Sequence, residues 1–305
     1  MRKMRSKYFG LRHSASHDPD RMFNRALSYV QRRIEAAFRR LALGLLNRRY
    51  RRRAAQFQYP HPAEGQVVPR QVFQIFLGHG LPLELVPHRE ALIARNPDWS
   101  FQLFDDTAVE HYIGTHYPAL LPIYHCIEPR YSAARADFFR YLLIYREGGV
   151  YLDVKSTFTR PLDEVLRGKQ GFVLSNWDNQ TKGTPHYRFG THLDIPNRRG
   201  EFLQCVLAAP AGHPFLRAVI DNVVLQVLSY SPRVHGVGRE GVLRTTGPIP
   251  FTLPILTLRH RHAHTYCDIF SEGFVYSVLE EGSHHRLSKA HYSTLSLPIA
   301  RPPTV

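Results

Sequence analysis

The stretch from Ser132 to Lys155, SAARADFFRYLLIYREGGVYLDVK, constrains this chain more than any other. Phe138, Tyr141, Leu142 and Tyr145 recur every three or four residues, which predicts a helix with one apolar stripe facing a core. Gly148 and Gly149 end it, because glycine accepts the positive-φ backbone of a helix C-terminal cap. Val150, Tyr151 and Leu152 then read as a short buried strand with Asp153 at its C-terminal end. In open α/β sheets ligands bind at that edge. Asp137 and Arg140, three residues apart, are neighbours on one helical turn, where charged groups can meet a ligand.

The rest of the chain fits a sheet with helical crossovers. After Pro69, residues Val72, Phe73, Ile75, Phe76 and Leu77 form a nearly continuous apolar run, the pattern of a buried parallel strand. Residues 84–95 are helical in pattern, and Trp99 to Phe104 form a second strand ending at Asp105 and Asp106. A short helix within 157–166, strands at 172–174 and 202–208, and a helix at 214–228 follow. Strands alternating with helices predict a mixed, mostly parallel α/β sheet flanked by helices.

The net charge of +15 invites a nucleic-acid reading until its location is considered. Residues 1–56 hold 16 Lys and Arg against Asp18, Asp20 and Glu35, a net of +13, and the remaining 249 residues are nearly neutral. The chain therefore divides into a basic arm (1–56), a linker (57–66) and a globular body (67–305). In the arm, Phe23, Leu27, Val30, Ile34, Phe38, Leu41 and Leu45 recur at helical spacing among arginines. That is a basic amphipathic helix, suited to an anionic membrane surface through residues 21–53 or to packing on the body. No apolar run is long enough to span a bilayer, no signal peptide is evident, and Cys126, Cys205 and Cys267 form no disulfide framework. These features predict a cytoplasmic protein peripheral to a membrane, or one of the Golgi lumen if a targeting signal escapes recognition.

Five ordered blocks carry a family resemblance: PRQVFQIFLG (69–78), NPDWSFQLFDD (96–106), AARADFFRYLLIYREGGVYLDVKS (133–156), AAPAGHPFL (208–216) and TTGP (245–248). Together they resemble glycosyltransferases with the DxD sugar-binding motif, including initiation-type α-1,6-mannosyltransferases and α-1,4-galactosyltransferases. The resemblance covers about Val67 to Pro248. It implies a GT-A fold and retaining transfer of a sugar from a UDP- or GDP-sugar donor to a glycan or glycolipid hydroxyl. It further implies that Asp137 binds donor hydroxyls, Arg140 the diphosphate or sugar, and Asp153, the first aspartate of DxD, donor hydroxyls and a metal. Tyr151 joins this donor-binding set, and Phe76 falls where a base-stacking tryptophan is usual. Arginine clamps phosphate, carboxylates accept bonds from vicinal hydroxyls, and an aromatic face covers a base.

Lys155 departs from the pattern, since the second DxD aspartate ordinarily ligates Mn²⁺ or Mg²⁺. Its ammonium replaces part of the metal's electrostatic task, or a metal binds through Asp153 and a late ligand such as His291, or catalysis is lost and a sugar-nucleotide or glycan-binding module remains. Asn176, Trp177 and Asp178 read as acceptor-side residues, and Asp178 and Asp194 as candidates for a catalytic carboxylate near the reacting carbon. His213 in AGHP and Thr246 in TTGP are expected to shape the site floor. His260, His262 and His264 alternate as ligands on one strand face do, without a standard zinc spacing. No GxSxG, Walker or GxGxxG motif occurs.

Overall fold

The computed structural model describes residues 19–78, 80–279 and 292–302. A 36-residue helix, α1 (Pro19–Ala54), precedes β1 (Gln71–Ile75), α2 (Val86–Arg95) and β2 (Ser100–Phe104). Then come α3 (Asp106–His116), α4 (Leu121–Cys126), α5 (Ser132–Glu147) and β3 (Gly149–Leu152). These are followed by β4 (Thr157–Phe158), α6 (Leu162–Val165), β5 (Phe172–Leu174) and β6 (Val206–Ala209). The helices α7 (Pro214–Leu228), α8 (Pro232–His235), α9 (Gly238–Thr245) and α10 (Pro248–Leu258) lead to β7 (His264–Tyr266) and β8 (Phe274–Val275).

Six strands form one sheet in the order β2-β1-β3-β6-β5-β7, and β4 pairs with β8. β1 runs parallel to β2 and β3, and β5 parallel to β7, while β6 is antiparallel to both β3 and β5. The sheet is mixed with mostly parallel pairs, as expected. Side chains alternate across it. Phe73, Ile75 and Tyr151 enter the larger core with α5 and α7, whereas Val72, Val150 and Leu152 enter a smaller one with Leu92, Trp99, Phe158 and Phe274.

The organising helix differs from its expected form. Every residue of α5 from Asp137 to Tyr145 is buried, so the helix is enclosed on all sides and its charged pair lies inside the protein. Sheet, α7 and α9 all pack on it, which leaves no solvated face along that stretch. The two glycines behave as predicted. Gly148 has φ +68 and Gly149 φ +88, and they turn the chain from α5 directly into β3. The strand expected at 202–208 is shorter, because Phe202 makes only an isolated bridge to Asn176 before β6 begins.

The arm helix presents two faces. Ala36 is buried, Tyr50 and Ala54 pack on the larger core, and the Ser229 hydroxyl donates to Asn47 Oδ1 at 3.0 Å. Arg39 and Arg244 both bond the buried Asp194 carboxylate, at 3.0 and 3.1 Å, which ties α1 to α9. Asp194 is therefore a structural anion, which corrects its candidacy as a catalytic carboxylate. Phe23, Leu27, Val30, Ile34, Phe38, Leu41 and Leu45 are each more than half exposed. At 3.6 residues per turn this stripe lies on the opposite side of the helix from Ala36, Asn47 and Ala54. The 57–66 segment runs along the body, where the Tyr59 hydroxyl bonds Asp221 Oδ1 at 2.7 Å and Gly65 N–H bonds the Ala211 carbonyl at 2.8 Å.

Candidate active site

The parallel register of β1 and β3, with Phe73 opposite Tyr151, brings the C-terminal ends of both strands to one sheet edge. Asp153 emerges there beneath a cavity of about 580 Å³. Asp137, Arg140, Asp153 and Lys155 all line it, with Trp177, Glu201, Gln204 and Tyr276. Four residues singled out within one short stretch of sequence thus converge on one space.

Arg140 is the hub. Its Nη2 bonds Asp137 Oδ1 at 2.8 Å, and its Nη1 bonds the Gln204 carbonyl at 2.8 Å and lies 3.4 Å from Asp153 Oδ1. Its guanidinium stands over the Tyr151 ring, 4.5 Å from the centroid, and the Tyr151 hydroxyl donates to Asp153 Oδ1 at 2.6 Å. The other Asp137 oxygen accepts from the Thr246 hydroxyl at 3.0 Å. The Tyr141 hydroxyl meets the Thr246 carbonyl at 3.0 Å and the Gln204 side-chain amide. The TTGP block therefore acts by positioning Asp137. Oxygen acceptors around the planar guanidinium and an aromatic platform beneath it hold the arginine in one orientation, which a flexible ammonium could not reproduce.

Burial pushes the Asp137 carboxyl up to about 6, against the opposing pull of Arg140 and Thr246. Because the folded state holds this proton more tightly than the unfolded chain, stability from this group falls as pH rises from about 4 to about 6. A ligand whose hydroxyls donate to the carboxylate has the opposite preference. Affinity for such a ligand is expected to be flat above pH 7 and to weaken about tenfold per unit below pH 6. Calorimetric titrations from pH 5 to 8 check this, and Asp137→Asn should flatten the profile.

The other predicted residues separate into contributors and bystanders. Tyr151 is buried behind Arg140 and supports the site without lining it. Phe76 is half-buried beyond the end of β1 and outside the cavity lining, so base stacking by it is not seen in this arrangement. Within the 176–178 block Trp177 reaches the cavity, and its Nε1–H donates to Glu201 Oε1 at 2.7 Å. Asp178 is exposed and does not line the cavity, which corrects its candidacy as a catalytic carboxylate. His213 is fully buried, caps α7 by accepting from Phe215 N–H and meets the Ala263 carbonyl at 2.9 Å, so AGHP is a packing motif. His264 lies in β7 while His260 and His262 precede it in a turn, so the three do not share a strand face.

Sequence patterns missed Glu201, Gln204 and Tyr276, which the long excursion between β5 and β6 and the segment after β8 deliver. His192 Nε2 lies 2.6 Å from Glu201 Oε2 on the same wall. Arg188 also lines the cavity and, at φ +66, is the non-glycine residue with positive φ among the described residues. Such strain gathers at binding sites.

The residues around Asp153 do not fit a divalent cation. Its Oδ1 is already shared by a hydroxyl and a guanidinium, and Lys155 stands where a second carboxylate is needed. Among the described residues no cluster of three or more His, Cys, Asp or Glu side chains could hold a metal. His291 lies outside the described residues.

Residues 83–172, which contain all four converging residues, match the family described as "Glycosyltransferase sugar-binding region containing DXD motif". This segment is similar to the DXD glycosyltransferases, a family of transferase enzymes. Inositol phosphoceramide mannosyltransferase 3 of Schizosaccharomyces pombe is 26% identical over 167 residues, covering 55% of this chain and 40% of the relative. The initiation-specific α-1,6-mannosyltransferase of Candida albicans is 25% identical over 220 residues, covering 66% of this chain and 55% of the relative. The chain thus spans about half the length of these relatives. Among solved structures, the UDP-bound glycosyltransferase domain of the YGT toxin aligns with a TM-score of 0.47 at 10% identity, over 70% of this chain and 82% of that one.

Proposed function

We propose that the 67–305 body transfers a sugar, with retention at the anomeric carbon, from a UDP- or GDP-sugar to a hydroxyl of a glycan or glycolipid. The convergence of Asp137, Arg140, Asp153 and Lys155 on one cavity carries this reading. About 580 Å³ suits a nucleotide-sized ligand. The carboxylates accept bonds from ribose or sugar hydroxyls, and Arg140 faces the diphosphate. Sugar transfer breaks the bond from the anomeric carbon to the diphosphate oxygen and forms one to the acceptor oxygen. The acceptor proton passes to the departing diphosphate, so no side-chain nucleophile is required. The names of the fungal relatives favour mannose as the sugar and a ceramide-linked or glycan acceptor. Release of nucleoside diphosphate from a panel of UDP- and GDP-sugars, with and without candidate acceptors, tests the proposal. No release from any donor would leave the second reading, a sugar-nucleotide-binding module, which Lys155 in place of the DxD aspartate favours.

The chain works at an anionic membrane surface and on its cytoplasmic side. Support for the membrane comes from the exposed apolar stripe of α1, which points away from the body among arginines that can pair with lipid phosphates. Support for the reducing compartment comes from the three free cysteines. No helix among the described residues is long and apolar enough to cross a membrane. Cosedimentation with phosphatidylserine vesicles should exceed that with phosphatidylcholine vesicles and fall with salt. Phe38→Asp with Leu41→Asp should weaken it at least tenfold, since burying each such side chain is worth about 1.5–3 kcal/mol. Equal binding by the variant sinks the lipid assignment.

A further inference from the structure

We propose that Lys155, clamped by Tyr276, is the resident cation of the donor site and binds the nucleoside diphosphate without a divalent metal. This deepens the donor-site reading above and rests on it.

Lys155 is held as a fixed charge. Its Nζ donates to the Tyr276 hydroxyl at 2.9 Å and lies 4.3 Å from the Tyr276 ring centroid. The backbone beneath it is pinned as well. Val278 N–H bonds the Lys155 carbonyl at 2.8 Å, the Ser156 hydroxyl donates to the Tyr276 carbonyl at 2.6 Å, and Ser156 N–H bonds the Asp153 carbonyl at 2.8 Å. Tyr276 is braced in turn by Trp177, whose ring meets it edge-on at 4.8 Å and whose Nε1 is anchored on Glu201. The ammonium therefore sits on a prebuilt wall of the cavity, with no reorganisation needed when an anion arrives.

The charges nearby are arranged for an anion rather than a metal. Asp137 and Asp153 both contact the Arg140 guanidinium. Lys155 makes no ion pair among the described residues, and its side-chain partner is a neutral phenol. A divalent cation entering here would meet an ammonium and a carboxylate already partnered. A diphosphate would meet an unneutralised positive charge beside the arginine fork. The lysine thus stands at the second aspartate position of the DxD pattern and supplies the sign of charge that a metal would contribute. Tyr276 acts as a positioning residue through its hydrogen bond and ring contact with the Lys155 ammonium.

The test is calorimetric titration of the full chain with UDP and GDP, in EDTA and in Mn²⁺. Wild type should bind at least one nucleotide with affinity unchanged, within about twofold, between the two conditions. Lys155→Gln should lose at least tenfold in both, and Lys155→Arg should retain most of the affinity. Lys155→Asp, which restores the DxD pair, should bind poorly in EDTA and recover in Mn²⁺. Tyr276→Phe keeps the ring and removes the clamp, and should weaken binding several-fold while retaining metal independence. Melting curves identify any variant that fails to fold, and Lys155→Arg keeps the test open if the neutral variants do. Wild-type binding that requires Mn²⁺, or full affinity in Lys155→Gln, overturns the proposal but leaves the donor site standing. Binding of neither nucleotide under either condition overturns both.

Discussion

Arg140→Ala should lower the melting temperature by about 10 °C and weaken donor binding by about two orders of magnitude. Arg140 and Asp137 are 5% and 3% exposed, and removing one partner of a buried ion pair costs about 3–5 kcal/mol because the other is left charged and unpaired. The loss extends beyond the pair, since the same guanidinium bonds the Gln204 carbonyl and stacks on Tyr151. Arg140→Lys should rescue little, as an ammonium cannot span Asp137, Asp153 and a backbone carbonyl from one stacked plane. Adding Asp137→Asn to Arg140→Ala should recover part of the stability but none of the binding, which separates the fold's need for the pair from the ligand's. Chemical denaturation of the single and double variants measures the first effect, and nucleotide titration the second.

The second large effect is expected at Gly148. The residue has φ 68° and ψ −157°, a region that only glycine occupies comfortably. A Cβ there would stand 2.6 Å from the Ala211 nitrogen and 2.9 Å from Pro69 Cδ, both belonging to segments that flank the sheet. Strain and overpacking together should cost Gly148→Ala about 4 kcal/mol. The cost falls directly on the junction that aims β3, and hence Asp153 and Lys155, into the cavity. Gly44→Ala makes the opposite prediction. Gly44 lies within α1, and a Cβ added to it would meet nothing within 4 Å, so alanine should stabilise by about 0.5–1 kcal/mol through helix propensity alone. Opposite signs from two glycine-to-alanine changes, read by urea denaturation, would confirm that backbone geometry sets the first cost.

What could be read from the sequence was local. The pairing of Asp137 with Arg140, the glycine stop and the delivery of Asp153 and Lys155 all follow from spacings of 24 residues or fewer within one stretch. Five ordered blocks then placed that stretch in an α/β sheet. The parts that escaped were those brought from far along the chain. Tyr276 lies 121 residues from the lysine it clamps, and Thr246 lies 109 residues from the aspartate it orients. No periodicity carries such a pairing. Asp178 and Asp194 looked alike as loop carboxylates, yet one is exposed and the other is a buried counter-ion to Arg39 and Arg244. The apolar pattern of α1 was visible, but whether it faced the body or away from it required the position of Ala36 and Asn47 against the remainder of the fold.

The convergence of Asp137, Arg140, Asp153 and Lys155 on a nucleotide-sugar is most directly tested by thermal denaturation of the purified chain against a panel of UDP- and GDP-sugars, each with EDTA and with Mn²⁺. A ligand that binds only the folded state raises the apparent melting temperature by mass action. At least one donor should stabilise the wild type in EDTA as well as in Mn²⁺, and Arg140→Lys should abolish the shift. A panel in which no nucleotide sugar stabilises the wild type under either condition would contradict the account.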